Sequence, residues 1–549
     1  MSRGGCVKLA ALLGVGLILV VVLVLLGIAW FMSRQVLDSG GPLPETMRAY
    51  DVRHYRIEVS VDPEAKAIVG ETTVRLEVVE SLAVFDIHLD DRLEVTEVEL
   101  DGRATDFSHA NGVISANVKP ALAVGTVHEV TIKYGGSPKV AMRPPWIDGF
   151  VWSETMDGRP WVGVTGQGDG GDNWWPCKDH PSDEPDEGVE IVLTVPDGLV
   201  GLSNGRKISE VDNGDGTLTT TWRVGYPINN YLVTVNIAPY VPIEQSYVSP
   251  DGDVARTVVF WSLPEHESDA RRMWQQIPEL LGFLERTFGQ YPFWADKLWV
   301  AHAPYLGMEH QTLIAYGDAF EENEFGFDAL LLHELAHEWW GNKVTARDWA
   351  DFWLHESFAT YAEALFVLET LGDARYLEYM STFESRITNR RPLVQGEDLT
   401  SAQAYSGDIY FKGAWVLHSL RWLIGDDAFF EVLRRFANDD PYAYGLVDSE
   451  DLIALVAEVS GREDLEWFWR RYLREAELPR WSMQREIEDG RAVVTVAWDD
   501  SAFEMPLPIR IDGDTYRFEM KGGAVEVDVP MGAAVEVDPE GRVLAARGR

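Results

Sequence analysis

His333, Glu334 and His337 stand together in the run His-Glu-Leu-Ala-His. On a helix, positions i and i+4 share a face, so both imidazoles project the same way and can reach one metal ion. Glu334 lies about 100° around the helix, beside that ion rather than on it. A carboxylate there is placed to take a proton from metal-activated water. The surrounding segment FDALLLHELAHEWWG reads as an apolar helix ending at Gly341. The alternative, two histidines satisfied by surface partners, fits such a segment poorly. Buried among Leu330, Leu331, Leu332, Leu335, Trp339 and Trp340, these polar groups need a partner, and a metal supplies one.

A catalytic zinc site takes three protein ligands and keeps one position open. The next helical stretch, FWLHESFATYAEALF, carries Glu356 nineteen residues after His337. A helix, a short connection and a second helix bring Glu356 back over the first. His355 is the adjacent competitor, but neighbouring helical positions point about 100° apart and cannot both face the metal; Glu356 is the expected ligand. Two nitrogen donors and one oxygen donor without thiolate suit Zn²⁺ best, although Co²⁺ and Mn²⁺ also accept such a set.

These helices need a scaffold, and the chain supplies several. With 549 residues it has room for three or four domains at about 150 residues each. From residue 49 to 245 the pattern alternates: Tyr55, Ile57, Val59 and Val61 share one face, and Thr72, Val74, Leu76 and Val78 repeat it. This is a β-rich domain. Helical spacing begins with Trp274, Ile277, Leu280, Leu281 and Leu284, and residues 246–479 read as a mainly helical domain. Residues 480–549 alternate again, as a small β domain. The class is α+β multidomain.

The 89 acidic residues exceed the 47 basic ones by 42. That balance repels polyanions and excludes nucleic acid as the main partner. It hints at cationic substrates, although a global charge does not shape a local pocket. Cys6 and Cys177 are not expected to pair, so the fold does not rest on disulfides. No Asn is followed by x-Ser or x-Thr, an absence that favours a bacterial source.

Residues 9–32 contain no charged side chain. As a helix they would span about 36 Å, enough to cross a bilayer. The run exceeds a cleavable signal's apolar core, so it reads as an uncleaved transmembrane anchor with the lipid bilayer as partner. Arg3 and Lys8 precede it and place residues 1–8 in the cytoplasm, with the rest outside, periplasmic or extracellular. Residues 33–48, with Gly-Gly-Pro, read as a linker.

The run HELAHEWWGNKV followed by WLHESFATYAE resembles the M1 family of zinc aminopeptidases, a gluzincin family. The resemblance extends to FGQYPF (288–293), GMEH (307–310), NWWPCKDHPSDEP (173–185) and the YFKG run at 410–413, in the family's order. It implies a thermolysin-like catalytic domain. It implies one zinc on His333, His337 and Glu356, with Glu334 as general base. Glu309 matches the carboxylate that binds a substrate's free α-amino group, with Gly307 and Met308 beside it against the substrate. Gln167, nine residues before Pro176, matches a glutamine that helps hold the amine. Tyr410 matches the phenol that stabilises the oxyanion, with Tyr405 as a nearby competitor. Lys412 reads as a structural ion-pair partner.

The expected substrates are therefore peptides with a free N-terminus. A carboxylate recognises an ammonium by a charge-assisted hydrogen bond, and a phenol can donate to a developing oxyanion. Two departures stand out. The family's GxMEN run appears as Leu306-Gly-Met-Glu-His310, so Leu306 lacks glycine's freedom, and His310 either changes substrate positioning or is a tolerated family variant. His355 and Ser357 replace the Asn and Gly that flank the third ligand. Larger members also carry a long helical C-terminal domain that seventy residues of β pattern cannot supply, so a more open site is expected, or one closed by another subunit. Oligomeric state is not legible in the sequence. The rival readings are a non-peptidase zinc hydrolase of the epoxide hydrolase type on the same fold, and a catalytically weak peptide-binding protein.

Overall fold

The computed structural model describes residues 39–546, apart from positions 251, 253, 318, 489 and 490. The anchor expected at 9–32 lies outside the described residues. Among the described residues no helix is long and apolar enough to cross a membrane.

The linker expected at 33–48 is corrected over its described part, which is docked. Ser39 Oγ donates to Asp179 at 2.8 Å, and Gly41 N donates to Leu399 O at 3.0 Å. Met47, on the short helix Glu45–Arg48, is fully buried.

The alternating sequence from Tyr50 builds an eight-stranded sheet. Its central strand Tyr50–Asp62 runs antiparallel to Ala67–Val78 and parallel to Val189–Pro196, with Ile57 opposite both Thr72 and Ile191. Tyr55, Ile57, Val59 and Val61 point into the core, as the period of two requires. A second sheet has the order Val200–Ser203, Val235–Ala238, Pro160–Thr165, Gly149–Glu154. The strand ending at Thr165 delivers the chain to Gln167.

The helix-rich half opens with a sheet rather than a helix. Its strands are β1 (Val241–Val248), β2 (Ala255–Ser262), β3 (Trp299–His302), β4 (Gly307–Met308) and β5 (Leu313–Tyr316), in the order β1-β2-β3-β5-β4. The boundary expected at 246 falls inside β1, which pairs with β2. Helical periodicity was the dominant signal here, and short buried strands of four residues or fewer leave little pattern to oppose it.

Helix α1 (Ile277–Phe288) packs against two of the three helices that carry the site, α2 (Ala329–Ala336) and α3 (Trp353–Leu371); the third is α4 (Phe411–Ile424). Asp328 caps α2, accepting from Leu331 N at 2.9 Å and satisfying one orphan donor of the first turn. The helix ends sooner than the expected Gly341: Ala336 is its last residue and His337 its C-cap. α3 and α4 cross closely at Ser357 and Gly413. A Cβ on Gly413 would lie 1.6 Å from Ser357 Oγ, and that hydroxyl donates to Ile409 O. Ser357 is therefore accommodated because α4 presents glycine to it.

The C-terminal β domain consists of two three-stranded sheets. It docks on the far end of α4, where Leu544 N donates to Ser419 Oγ at 2.9 Å, Tyr472 OH donates to Leu544 O at 2.7 Å and Arg542 pairs with Asp373.

Candidate metal and substrate site

Helix α2 presents His333 and His337 on one face, and α3 lays Glu356 across them. The two Nε2 atoms are 3.2 Å apart, and each is 3.4 Å from Glu356 Oε2. Four ligands placed tetrahedrally at about 2.0–2.1 Å from zinc have edges of about 3.3–3.4 Å. The three donor atoms thus already outline one face of such a tetrahedron. Glu356 Oε2 is buried and has no hydrogen-bond partner, the condition of a ligand atom that a cation must satisfy. These three residues form a candidate metal site, and the donor set suits zinc.

His355 is turned away. Its Nε2 accepts from Ala346 N at 2.7 Å, and burial holds its imidazole down at about 3. Glu334 lies beside the donor set, with Oε2 buried and without a partner. Burial pushes its carboxyl up to about 8, against the pull of His333 and His337. Gly307 on β4 makes room for it, since a Cβ there would lie 2.5 Å from Glu334 Oε1.

Gln167, Glu309 and Tyr410 converge on the same place from three segments. Gln167 Nε2 donates to Glu309 Oε1 and to Glu356 Oε1, each at 3.0 Å. Tyr410 OH donates to Glu356 Oε1 at 2.9 Å and bonds Tyr405 OH at 2.9 Å. Glu309 is buried, and burial raises its carboxyl while His337 lowers it. Gly307, Met308, Glu309, Gln167, Tyr405 and Tyr410 all line a cavity of about 290 Å³, together with the three metal donors and Glu334.

The departures in the 306–310 run have physical outcomes. Leu306 is not among the residues with a left-handed backbone, so the expected need for glycine does not arise. His310 is fully buried, outside the cavity lining, with both ring nitrogens unpartnered and its imidazole lowered by burial to about 3. It is an apolar-like filler and does not reach the substrate cavity. Lys412 donates to Glu475 O at 3.2 Å and makes no ion pair among the described residues, which corrects the expected ion-pair role.

Several residues of the site went unassigned in the sequence. Glu363 Oε1 bonds His333 Nδ1 at 2.9 Å, and Glu363 Oε2 accepts from Tyr379 OH at 2.5 Å. His337 Nδ1 bonds Trp340 O at 2.8 Å. These contacts fix which ring nitrogen faces the metal. Glu363 had a signal: it follows Glu356 by two helical turns and shares its face. Tyr231 OH donates to Glu309 Oε1 at 3.2 Å, and a buried tyrosine in the β-rich half carries no mark that singles it out. Glu363→Gln is expected to weaken zinc binding about 10–100-fold. Chelator competition measures this, and unchanged affinity would remove Glu363 from that role.

A family profile described as the Peptidase family M1 domain matches residues 276–472, which contain all three metal donors, Glu334 and Tyr410. Residues 276–472 are thus similar to the M1 peptidase domain. Aminopeptidase N of Streptomyces lividans is 26% identical over 393 residues, covering 66% of this chain and 44% of its own length. Aminopeptidase B of Mus musculus is 23% identical over 472 residues, covering 78% of this chain and 68% of its own. Aminopeptidase N of Haemonchus contortus is covered over 33% of its length. The chain thus spans less than half of these two aminopeptidase N sequences. Among solved structures, a mutant M1 zinc metallopeptidase from Deinococcus radiodurans superimposes with a TM-score of 0.66 at 25% identity. The match covers 81% of this chain and 97% of that one. Over the matched 81% of the chain, the fold is similar to that of this M1 zinc metallopeptidase.

Proposed function

We propose that this chain is a zinc aminopeptidase that removes the first residue from peptides. One observation carries the reading: Glu309 and Gln167 meet 3.0 Å apart beside Glu356, so an ammonium-binding carboxylate adjoins the metal donors. That placement admits a peptide terminus and penalises an uncharged backbone.

When bound to His333, His337 and Glu356, zinc supplies Lewis-acid polarisation of the scissile carbonyl and of the attacking water. Glu309 accepts hydrogen bonds from the substrate ammonium, with Gln167 and Tyr231 holding its carboxylate in place. Glu334 takes a proton from the attacking water and returns it to the leaving amine. Tyr410 donates its phenol to the oxygen that gains charge.

The cavity's other walls are apolar, formed by Pro145, Trp146, Met308, Leu330 and Tyr405. Its three carboxylates are already engaged in the chemistry. An apolar first residue is therefore favoured, against the hint of Lys or Arg from net charge. The finer reading, a single-pass anchor at 9–32 that holds the peptidase outside the cytoplasm, rests on that apolar run alone.

Expression of the full chain tests these readings together. Activity is expected in the membrane fraction, with leucine and phenylalanine anilides cleaved faster than lysine and arginine anilides and N-acetylated substrates left intact. Activity recovered only in the soluble fraction removes the anchor. Cleavage of acetylated substrates makes the enzyme an endopeptidase. Zinc binding without turnover shifts the reading to the peptide-binding protein, and turnover of epoxides alone shifts it to the epoxide hydrolase.

A further inference from the structure

A second cavity of about 520 Å³ adjoins the first. His333, Tyr410 and Phe411 line both, so the two volumes meet along the imidazole and phenol that flank the scissile bond. A peptide held by its amine at Glu309 and Gln167 crosses the metal donors and leaves past Tyr410. The second cavity therefore receives the leaving side of the substrate. No residue beyond Phe411 lines it among the described residues, so the C-terminal β domain does not roof it.

Arg386 stands on the lip of this cavity. Its guanidinium lies 5.0 Å from the centroid of the Phe411 ring, and among the described residues it has no ion-pair partner. Arg375, nearby on the same stretch, is paired with Glu378. Two carboxylates do face the cavity. Glu363 is occupied by His333 and Tyr379. Glu324 lines it as well, and neither acid lies within ion-pair distance of Arg386. A guanidinium held by stacking on an aromatic ring keeps its planar fork of donors available to an incoming carboxylate. The chain's overall field repels anions at long range, so only a local cation makes this position hospitable to one.

We propose that Arg386 binds a substrate carboxylate on the leaving side, which directs the enzyme toward very short peptides. In a dipeptide or tripeptide the free C-terminal carboxylate falls one or two residues past the scissile bond, within the span of this cavity. The inference rests on the aminopeptidase reading and names its substrate class.

The test compares Leu-Ala, Leu-Ala amide and Leu-Asp amide on the full-length zinc enzyme, with leucine anilide as the control for the underlying reading. A charge-assisted hydrogen bond at a partly exposed site is expected to raise kcat/KM for Leu-Ala over its amide about tenfold. Arg386→Gln is expected to bring that ratio to about one, and Arg386→Lys to restore part of it, because the charge remains while the fork is lost. Equal rates on acid and amide in the native enzyme overturn the proposal. So does an Arg386→Gln loss shared equally by acid and amide, which marks a structural role. A preference for Leu-Asp amide without one for Leu-Ala overturns the terminal carboxylate as the source and assigns the site to an acidic side chain. Failure to cleave the anilide at all is a separate result and removes the aminopeptidase reading on which this one rests.

Discussion

Glu334→Gln is expected to lower kcat by about 10²–10⁴-fold, the range for removal of a positioned general base, while zinc content and thermal unfolding stay close to native. The carboxylate is well placed for this dissection. Its Oε2 has no hydrogen-bond partner, and its Oε1 rests against Gly307. Glutamine keeps the shape and the contact with Gly307 but cannot take up a proton. The histidines and Glu356 do not depend on it for orientation, since Glu363 and Trp340 O hold the imidazoles. The decisive comparison is turnover against zinc per chain. A variant that loses both together has lost the metal site, and the assignment of Glu334 as base then has no support. A variant that keeps zinc and more than a tenth of native turnover places the base elsewhere.

Glu309→Gln is the second large effect, a fall in kcat/KM of about 10²–10³-fold, as for one partner of a buried, hydrogen-bonded charge pair. Glu309 is 2% exposed, so an ammonium brought against it gives up its water and must be repaid by charge. Glutamine can accept one hydrogen bond from that ammonium and offers no charge. Discrimination between free and N-acetylated substrates should shrink with the same substitution. If kcat/KM falls while discrimination is untouched, Glu309 supports the site's shape and the amine is read by another group. Gln167 is the next residue to change in that case, because it bridges Glu309 and Glu356.

The metal donors were the most legible part of the molecule. His333 and His337 sit one helical turn apart, and Glu356 opens the next long helix, so local periodicity is enough to bring them together. The family resemblance, through its spacing to Pro176, led to Gln167, and the structure puts its amide 3.0 Å from Glu309. What escaped the sequence lies between distant segments. Ser39 reaches Asp179 across 140 positions and Trp349 across 310. Nothing in the composition of a Gly-Pro stretch distinguishes a docked strap from a free one. In the 306–310 run the sequence left two outcomes open. Two substitutions looked consequential beside a familiar pattern, yet Leu306 keeps an ordinary backbone and His310 points into the core. The short strands β3 to β5 escape the pattern because two to four mostly buried residues have no period to read.

The docking of residues 541–546 has a bearing on how the molecule comes apart. Leu544 N is held by Ser419 and its carbonyl by Tyr472, while His418 Nε2 bonds Gly541 O at 3.1 Å. At the other end of the described chain, Ser39 accepts from Ser401 N and donates to Asp179. A segment near each end is thus fastened to the helical half that carries the zinc donors. Domains joined by bare linkers melt one by one, each with its own free energy. Here the β domain cannot release its last described segment without exposing buried groups on α4, and the β-rich half cannot part from the helical half without freeing Ser39. Unfolding is thereby coupled across the three regions, and the melting of any one of them is felt by the others as a loss of bonds made at their own surfaces.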